Sequence, residues 1–414
     1  MKKTLLYLMV FIAALGLIAP GASAKWWHPP KKIEVNVMTR NLYLGADIFT
    51  AIEAALEDPA SVPFAVAEVY NTMLYTNFWA RAEAIADEIA RNKPDVVGLQ
   101  EVSTYYIQTP GDFLAGNPVQ ANDVVIDFYT VLDDALKARG LQYRAFTVTN
   151  ADVELPMVDP DSSTGLSDVR LVDHDVVLVR RGLPAWKVLA RNYEYNLGVE
   201  TEVGEIELIR GYVIVDAIIR GEVFRFVNTH LEVRDEPGSI FRFFQSAQMM
   251  ELLRTIDFLA GIPFLGTRPI IMLGDFNSSI EDRPGESEYE DENGDTIILP
   301  YTPPYMQAIY AGYYDTWLEQ PSYDDGFTSG FDETISNPFD KLETRIDLIF
   351  LDPLDLKLKE VEADVVGDEV TDMVPNPNDP GNSLWPSDHA GVVAEIKFRK
   401  SFRPWWQKFR WGPK

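Results

Sequence analysis

The chain has no cysteine, only four histidines, and far fewer basic than acidic side chains. Without cysteine there is no disulfide framework and no lipoprotein-type acylated cysteine, so stability must come from the core and from bound ions. Lysine and arginine number 36 against 64 acids, a net charge of −28. Such a surface repels polyanions at long range and weighs against charge-driven nucleic-acid binding, with a local basic groove as the remaining route. Also missing after residue 24 is any run apolar enough to cross a bilayer.

The first residues do carry such a run, but a short one. Lys2 and Lys3, an apolar stretch from Leu5 to Leu17, and Ala22-Ser23-Ala24 read as a signal peptide over 1–24, with an uncleaved anchor helix as the alternative. Its removal takes away two lysines and no acid, which leaves the mature chain at −30. The expectation is a secreted protein, extracellular or periplasmic, without a transmembrane helix in the mature chain and monomeric.

What remains is long enough, with 414 residues in the full chain, to bury a large core as one elaborated domain over 33–398. Short Val- and Ile-rich runs predict strands at 33–39, 95–101, 174–180, 211–219, 223–231, 268–274, 345–351 and 390–397. Arg220-Gly221 marks the tight turn of a hairpin over 211–231. Apolar residues recur every three to four positions at 63–92, 122–139 and 238–259, which predicts helices. Loops are expected at 150–170 and 281–304. Asp291, Asn293 and Asp295 alternate as oxygen donors in the second, but without the spacing of a twelve-residue calcium loop, so it reads as a solvated acidic loop. Strands alternating with helices, and a strand pair in the middle, predict a mixed α/β (α+β) sandwich.

The chemistry concentrates where strands run out. Residues 271–279 read IMLGDFNSS, so a strand ends at Gly274 and presents Asp275 and Asn277 on one side while Phe276 packs the other way. A carboxylate suited to taking a proton from water then stands beside an amide suited to donating to an oxygen that gains charge. Four further segments have this shape. VMTRNLYLG delivers Asn41, PDVVGLQEV delivers Glu101, FRFVNTHLEV delivers Asn228 and His230, and TRIDLIFL delivers Asp347, followed by WPSDHAGVVAEI with Asp388 and His389. Two of the four histidines thus stand at strand ends. His174, between Asp173 and Asp175, reads as structural, and His28 follows the cleavage site.

Taken in order, this series resembles the endonuclease/exonuclease/phosphatase superfamily, which includes pancreatic-type deoxyribonucleases, apurinic-site endonucleases, bacterial sphingomyelinases and inositol polyphosphate phosphatases. AGYYDTW at 311–317 and Gly326-Phe327-Thr328 look like further family segments. The resemblance implies a four-layered sandwich, two mixed β-sheets face to face with helices outside, and a site at one end of the sheets. It implies that Glu101, with Asn41 and Asp388, holds a divalent metal, magnesium first and manganese or calcium as alternatives. It further implies that Asp275 orients or deprotonates the attacking water and that Asn277 and Asn41 serve the phosphoryl group. Asp347 would polarise His389, and His230 would contact the phosphate or the leaving oxygen. The expected activity is metal-dependent hydrolysis of a phosphodiester, in nucleic acid or a phospholipid headgroup. The alternative is a non-catalytic envelope- or lipid-binding protein that keeps the fold.

The departures are an insertion at 42–75, rich in Ala, Tyr and Phe and placed to shape the mouth of the site, and the lack of a basic DNA-gripping helix or polyphosphate-reading clusters. The C-terminal stretch 397–414 has seven basic residues, six aromatics and no acid, and KWWHPPKK at 25–32 repeats that chemistry. It reads either as an element docking to anionic surfaces or envelope, or as a cationic tail (399–414) folding onto the acidic body.

Overall fold

The computed structural model describes residues 32–400 apart from 117–118, 202–203, 291–293 and 322–323. The expected signal peptide, the segment 25–31 with His28, and the tail beyond Lys400 lie outside the described residues, as do Asp291 and Asn293. In chain order the strands are β1 (Lys32–Asn41), β2 (Val96–Gln100), β3 (Thr104–Gln108), β4 (Asp123–Asp127), β5 (Tyr143–Val158) and β6 (Leu166–Arg180). There follow β7 (Ala185–Asn192), a small hairpin of β8 (Leu197–Thr201) and β9 (Gly204–Leu208), then β10 (Gly211–Ile219) and β11 (Glu222–His230). The second half holds β12 (Ile270–Asp275), a hairpin of β13 (Gly285–Glu290) and β14 (Thr296–Tyr301), β15 (Tyr314–Asp315), β16 (Asp347–Asp352) and β17 (Leu356–Val366). Last come the short β18 (Val374–Pro375) and β19 (Ser383–Leu384), then β20 (Gly391–Lys400).

Two mixed sheets carry the fold. One runs β17-β20-β1-β2-β6-β3-β4, with β5 paired to β6, and the other β15-β16-β12-β11-β10-β7. Val35, Val37, Val177, Val213, Val215, Phe226, Ile271 and Ile349 fill the space between them. On the outer face of the first sheet, Leu99 and Leu178 pack with Phe78, Ile85 and Leu132 from the helices Phe78–Asn92 and Phe128–Ala138. On the outer face of the second, Tyr212, Ile214, Val227 and Met272 pack with Met249, Leu252 and Ile256 of the helix Ile240–Gly261. The result is a four-layered sandwich. Central strands covered on both faces have no polar side to present, which is why they read as unbroken Val and Ile runs.

The middle hairpin turns at Arg220-Gly221, with φ of 52° and 80°, the pair of positive angles a two-residue turn of this hand requires. Other expectations need correction. Residues 150–170 are mostly strand, with Val153, Leu155 and Met157 at alternate positions packing into the core beneath the helices. The density of Asp, Pro and Ser hides that alternation, and Pro156 is tolerated because β5 pairs on one side only. The 281–304 loop contains the β13–β14 hairpin, whose acids face solvent. The helical pattern at 63–92 is broken into Val62–Tyr75 and Phe78–Asn92 by Asn77, left-handed at φ 41°, whose side chain accepts from Ala80 N at 3.1 Å. The first residues of the 122–139 pattern form β4 instead of helix. At the C-terminus β20 continues through Arg399 and Lys400, which pair with Lys357 and Leu356, so the tail begins later than its composition implies. Lys397 is matched by Glu360, Glu362 and Glu395 at 3.1, 2.9 and 2.8 Å, which removes it from any free basic patch. No helix among the described residues is long and apolar enough to cross a membrane.

Candidate active site

Strand register gathers the polar strand ends at one edge of the sandwich. β1 and β2 run parallel with Asn41 opposite Gln100, which brings Glu101 next to Asn41. β11 and β12 run parallel with His230 opposite Asp275, and β12 meets β16 with Asp275 opposite Asp347. The two sheets are pinned beneath the site by Asn228, which donates to Leu99 O at 2.8 Å and Val176 O at 3.2 Å and accepts from Gln100 Nε2 at 2.6 Å. Gly98 makes room for it, since a Cβ there would lie 2.5 Å from Asn228 Oδ1. Gly274 is equally constrained. Its φ is +155°, and a Cβ would stand 2.1 Å from Thr229 O, so only glycine lets the strand deliver Asp275 here.

Asp275 is the hub. Its Oδ2 is 3.2 Å from Asn41 Nδ2, 3.5 Å from His230 Nε2 and 3.8 Å from His389 Nδ1, while Oδ1 accepts from Asn277 N at 2.9 Å. Asn41 donates from the same Nδ2 to Glu101 Oε1 at 2.9 Å, and its oxygen accepts from Tyr43 N at 2.9 Å. The Asn41 amide nitrogen therefore bridges two carboxylates, and its oxygen, which accepts one hydrogen bond, keeps a second lone pair. Glu101 Oε2 accepts from Leu44 N at 2.7 Å. Asn277 Nδ2 donates to Leu231 O at 3.1 Å and lies 3.2 Å from His230 Nε2. In this arrangement it fixes His230, and donation to a phosphoryl oxygen requires the substrate to displace one of these contacts. Tyr43, Glu101 and Asn277 are all left-handed, with φ of 61°, 56° and 48°. Each costs roughly 1–2 kcal/mol, local strain of the kind that clusters at functional sites.

His389 Nδ1 is bound to Asp347 Oδ2 at 2.8 Å. Thr328 holds the pair's two chains together: its Oγ1 accepts from Asp347 N at 3.1 Å and its carbonyl from Ala390 N at 2.7 Å. Asp388 neighbours this pair and faces the same cavity as Glu101. His174, read as structural, has Nδ1 3.1 Å from Val102 O and does not line that cavity.

Burial makes these groups interdependent. Burial, and after it the Asp388 carboxylate, pushes Glu101 up to about 7. Burial and then Asp347 push Asp275 up to about 7, against the opposing pull of His389. The histidines separate. For His389, burial disfavours the cation but is outweighed by Asp347, Asp388 and Asp275, which hold it well above its ordinary range. For His230, burial followed by the Arg210 and His389 charges drives it well below. The two imidazoles are thus shifted in opposite directions, His389 towards its cation and His230 towards the neutral ring.

Three residues that carry the site gave little or no signal in the sequence. Arg210 lines the cavity, with Nη1 3.0 Å from His230 Nδ1 and Nη2 3.4 Å from Glu232 Oε1. An arginine entering a strand is unremarkable in a sequence. Arg81 donates to Leu42 O, Thr76 O, Pro386 O and Tyr43 O at 2.6 to 3.2 Å. It was detectable, since spacing puts it on the apolar stripe with Phe78 and Ile85. Arg40 donates to His389 O and pairs with buried Glu88 at 3.1 Å.

The cavity holds about 300 Å³ and is lined by Glu101, Asp173, Arg210, His230, Asp275, Asn277, Asp388 and His389 on its polar side. Tyr43 to Phe49, from the insertion at 42–75, form part of its mouth. The donor set suits a divalent cation. Glu101 and Asp388 are carboxylates that repel one another in a buried cleft, and a hard cation with oxygen ligands removes that repulsion. Asp275, Asp347 and His389 also bring ligand atoms within 4.8 Å of one another, but the His389 and Asp347 atoms are already joined by a hydrogen bond, so this cluster is better suited to moving a proton.

The model of the Endonuclease/Exonuclease/phosphatase family matches residues 75–389. No curated protein sequence matches the chain. Among solved structures, an endonuclease/exonuclease/phosphatase family protein from Leptotrichia buccalis is 16% identical over 87% of this chain and 99% of its own, with a TM-score of 0.47. A mannosyl-6-phosphatase from Bacteroides thetaiotaomicron is 16% identical over 87% of this chain and 99% of its own, at 0.46. Truncated TDP2 from Caenorhabditis elegans is 15% identical over 88% and 97%, at 0.43.

Proposed function

The chain belongs to the Endonuclease/Exonuclease/phosphatase family, and on that premise we propose that it is a divalent-metal-dependent phosphodiester hydrolase. The observation that carries this reading is the convergence on one carboxylate: Asn41, His230 and His389, from three distant segments, reach Asp275 Oδ2 within 3.2, 3.5 and 3.8 Å. Glu101 and Asp388 would hold the cation, magnesium first and manganese or calcium as alternatives, which when bound neutralises charge on a phosphoryl oxygen.

The side chains supply the rest. Asp275 takes a proton from water as the water oxygen bonds to phosphorus, and the bond to the leaving oxygen breaks. His389, whose Nδ1 is committed to Asp347, presents Nε2 to the reacting group, and as the cationic histidine it donates the proton that the leaving oxygen takes up. His230, neutral, and Arg210 contact the phosphate, with Asn277 fixing the imidazole. The proposal includes export after removal of residues 1–24, which N-terminal sequencing of the mature protein tests.

The activity test incubates the mature protein, with magnesium or with EDTA, against bis-4-nitrophenyl phosphate, 4-nitrophenyl phosphate, plasmid DNA and phospholipid vesicles. Diester cleavage that needs the metal and is lost in Asp275→Asn supports the reading. Cleavage of the monoester alone, or activity that survives both EDTA and Asp275→Asn, overturns it.

A further inference from the structure

Beside the catalytic cavity lies a second hollow of about 70 Å³, and the two share Ile48, Ala151, Leu171 and Leu208 in their walls. The floor is formed by Ala51 and Ile52 of the helix Phe49–Glu57, Val66 of the helix Val62–Tyr75, and Leu155 and Val169 of β5 and β6. Six of the fourteen residues that line this hollow therefore come from the insertion between Asn41 and Glu101. The only lining side chains with a polar atom are Tyr70 and Tyr105, and the Tyr105 hydroxyl is committed to Leu44 O at 2.9 Å. Ile48, Val69, Tyr70 and Leu171 are half-buried, so this is an open slot continuous with the reaction site and not a sealed packing void.

We propose that this slot receives an unbranched hydrocarbon chain carried by the phosphodiester, so that the substrate class is a lipid-like phosphodiester. The inference rests on the hydrolase reading above. A nucleobase or sugar entering here would leave most of its edge donors and acceptors without partners, since among the described residues the lining side chains offer only the Tyr70 hydroxyl beyond the one committed at Tyr105. A straight chain loses nothing by leaving water, and the largely apolar walls suit it. The polar cavity takes the phosphate and the adjoining slot takes the chain, which the four shared residues guide from one to the other. The acidic surface, which repels polyanionic DNA, is indifferent to such a substrate.

The test is a chain-length series on the full mature protein with magnesium. Turnover is measured on 4-nitrophenyl n-alkyl phosphodiesters from methyl to octyl, and binding of the matching n-alkyl phosphates is measured by calorimetry. The expected result is a rise in kcat/KM of about fourfold per methylene, the equivalent of about 0.8 kcal/mol each, that levels once the slot is full. Val66→Phe, which fills the floor, flattens that slope, and Val66→Ala, the milder change, moves the plateau to longer chains. Diester cleavage and binding that are both independent of chain length overturn the slot and leave the hydrolase reading intact. Binding that tightens with chain length without any diester cleavage keeps the slot and overturns the hydrolase reading. Plasmid DNA cleaved with higher kcat/KM than the octyl ester also overturns the slot.

Discussion

His389 Nδ1 and Asp347 Oδ2 lie 2.8 Å apart, both buried, although β20 and β16, the strands they adjoin, belong to different sheets. The contact closes the sandwich across its open end and fixes the imidazole by one nitrogen, so that the other is left for the substrate. Asp347 Oδ1 has no hydrogen-bond partner among the described residues, so His389 is the one side chain this carboxylate binds, while its charge also raises Asp275.

Asp347→Asn removes the largest influence that keeps His389 cationic while keeping the shape. The expected result is a loss of kcat/KM of about 100-fold or more, from the proton-transfer contribution, with secondary structure unchanged. Steady-state kinetics on a chromogenic diester, with circular dichroism as control, checks it. A variant within twofold of the parent would show that His389 works without its carboxylate.

The metal-free protein should become more stable as pH falls from 8 to about 5. Glu101 and Asp275 have folded values of about 7, pushed up by burial and by Asp388 and Asp347, so each binds protons more readily folded than unfolded. Their contribution is full below the unfolded carboxylate range and is lost as pH rises through about 7. His389, also raised, acts in the same direction at higher pH. His230, lowered by burial and Arg210, acts the opposite way below its unfolded value, but over a narrower part of this window than the two carboxylates together. Melting curves in EDTA at pH 5 and 8 check the sign. Magnesium should raise Tm more at pH 8, where Glu101 is ionised, than at pH 5.

Much of this site was legible because its residues are carried on strands, whose period and abrupt ends are written in the sequence. Asp275, His230 and Asp347 appear there as polar residues following apolar runs, and register alone brings them side by side. Roles were harder to read than positions. Asn41 had the right place, but only the Tyr43 N–H contact reveals that its oxygen accepts a hydrogen bond. Asn277, likewise, serves His230 in this arrangement. Arg210 was invisible because its partner is twenty positions away, across a hairpin whose pairing had to be known first. The β5–β6 hairpin was hidden by Asp and Pro, whose turn preference is overridden at an edge by one apolar face packed on helices.

Arg210→Met should separate binding from proton chemistry. The guanidinium sits 3.0 Å from His230 Nδ1 and helps hold that imidazole neutral. Removing it should raise KM about tenfold, as expected for loss of a charged hydrogen bond to phosphate, and raise the His230 titration midpoint. Because the chain has four histidines, two of them at this site, imidazole proton resonances can be followed against pH individually. An unmoved His230 midpoint would show that burial and the His389 charge set it without Arg210.

Glu101→Gln should act on the cation first. The carboxylate is half-buried, positioned by Asn41 at 2.9 Å and Leu44 N at 2.7 Å, and raised by desolvation and then by its neighbour Asp388. The amide keeps the size and one of these two accepted hydrogen bonds but removes one of two charges available to a divalent ion, so magnesium affinity should fall about 100-fold or more and activity should be partly restored at high magnesium. Calorimetric titration of magnesium reads this directly. Unchanged affinity would move the ion to the Asp275, Asp347 and His389 cluster.

Arg81 tests whether the site's geometry is held from behind. Its guanidinium donates to the carbonyls of Leu42 and Tyr43, which follow Asn41, to Pro386, which precedes Asp388, and to Thr76 at the helix break. It also lies over the Phe78 and Tyr43 rings, 5.0 and 5.6 Å from their centroids. Lysine at this position keeps a charge but cannot serve four carbonyls in one plane, and each buried acceptor left bare costs about 1–3 kcal/mol. Arg81→Lys should therefore lose about 2–4 kcal/mol in urea unfolding, a large share of the roughly 5–15 kcal/mol a domain possesses. Because the released carbonyls flank Asn41 and Asp388, the folded fraction should also bind magnesium more weakly. If stability falls while magnesium affinity per folded molecule stays constant, Arg81 holds the layers together but does not set the positions of the residues proposed to bind metal.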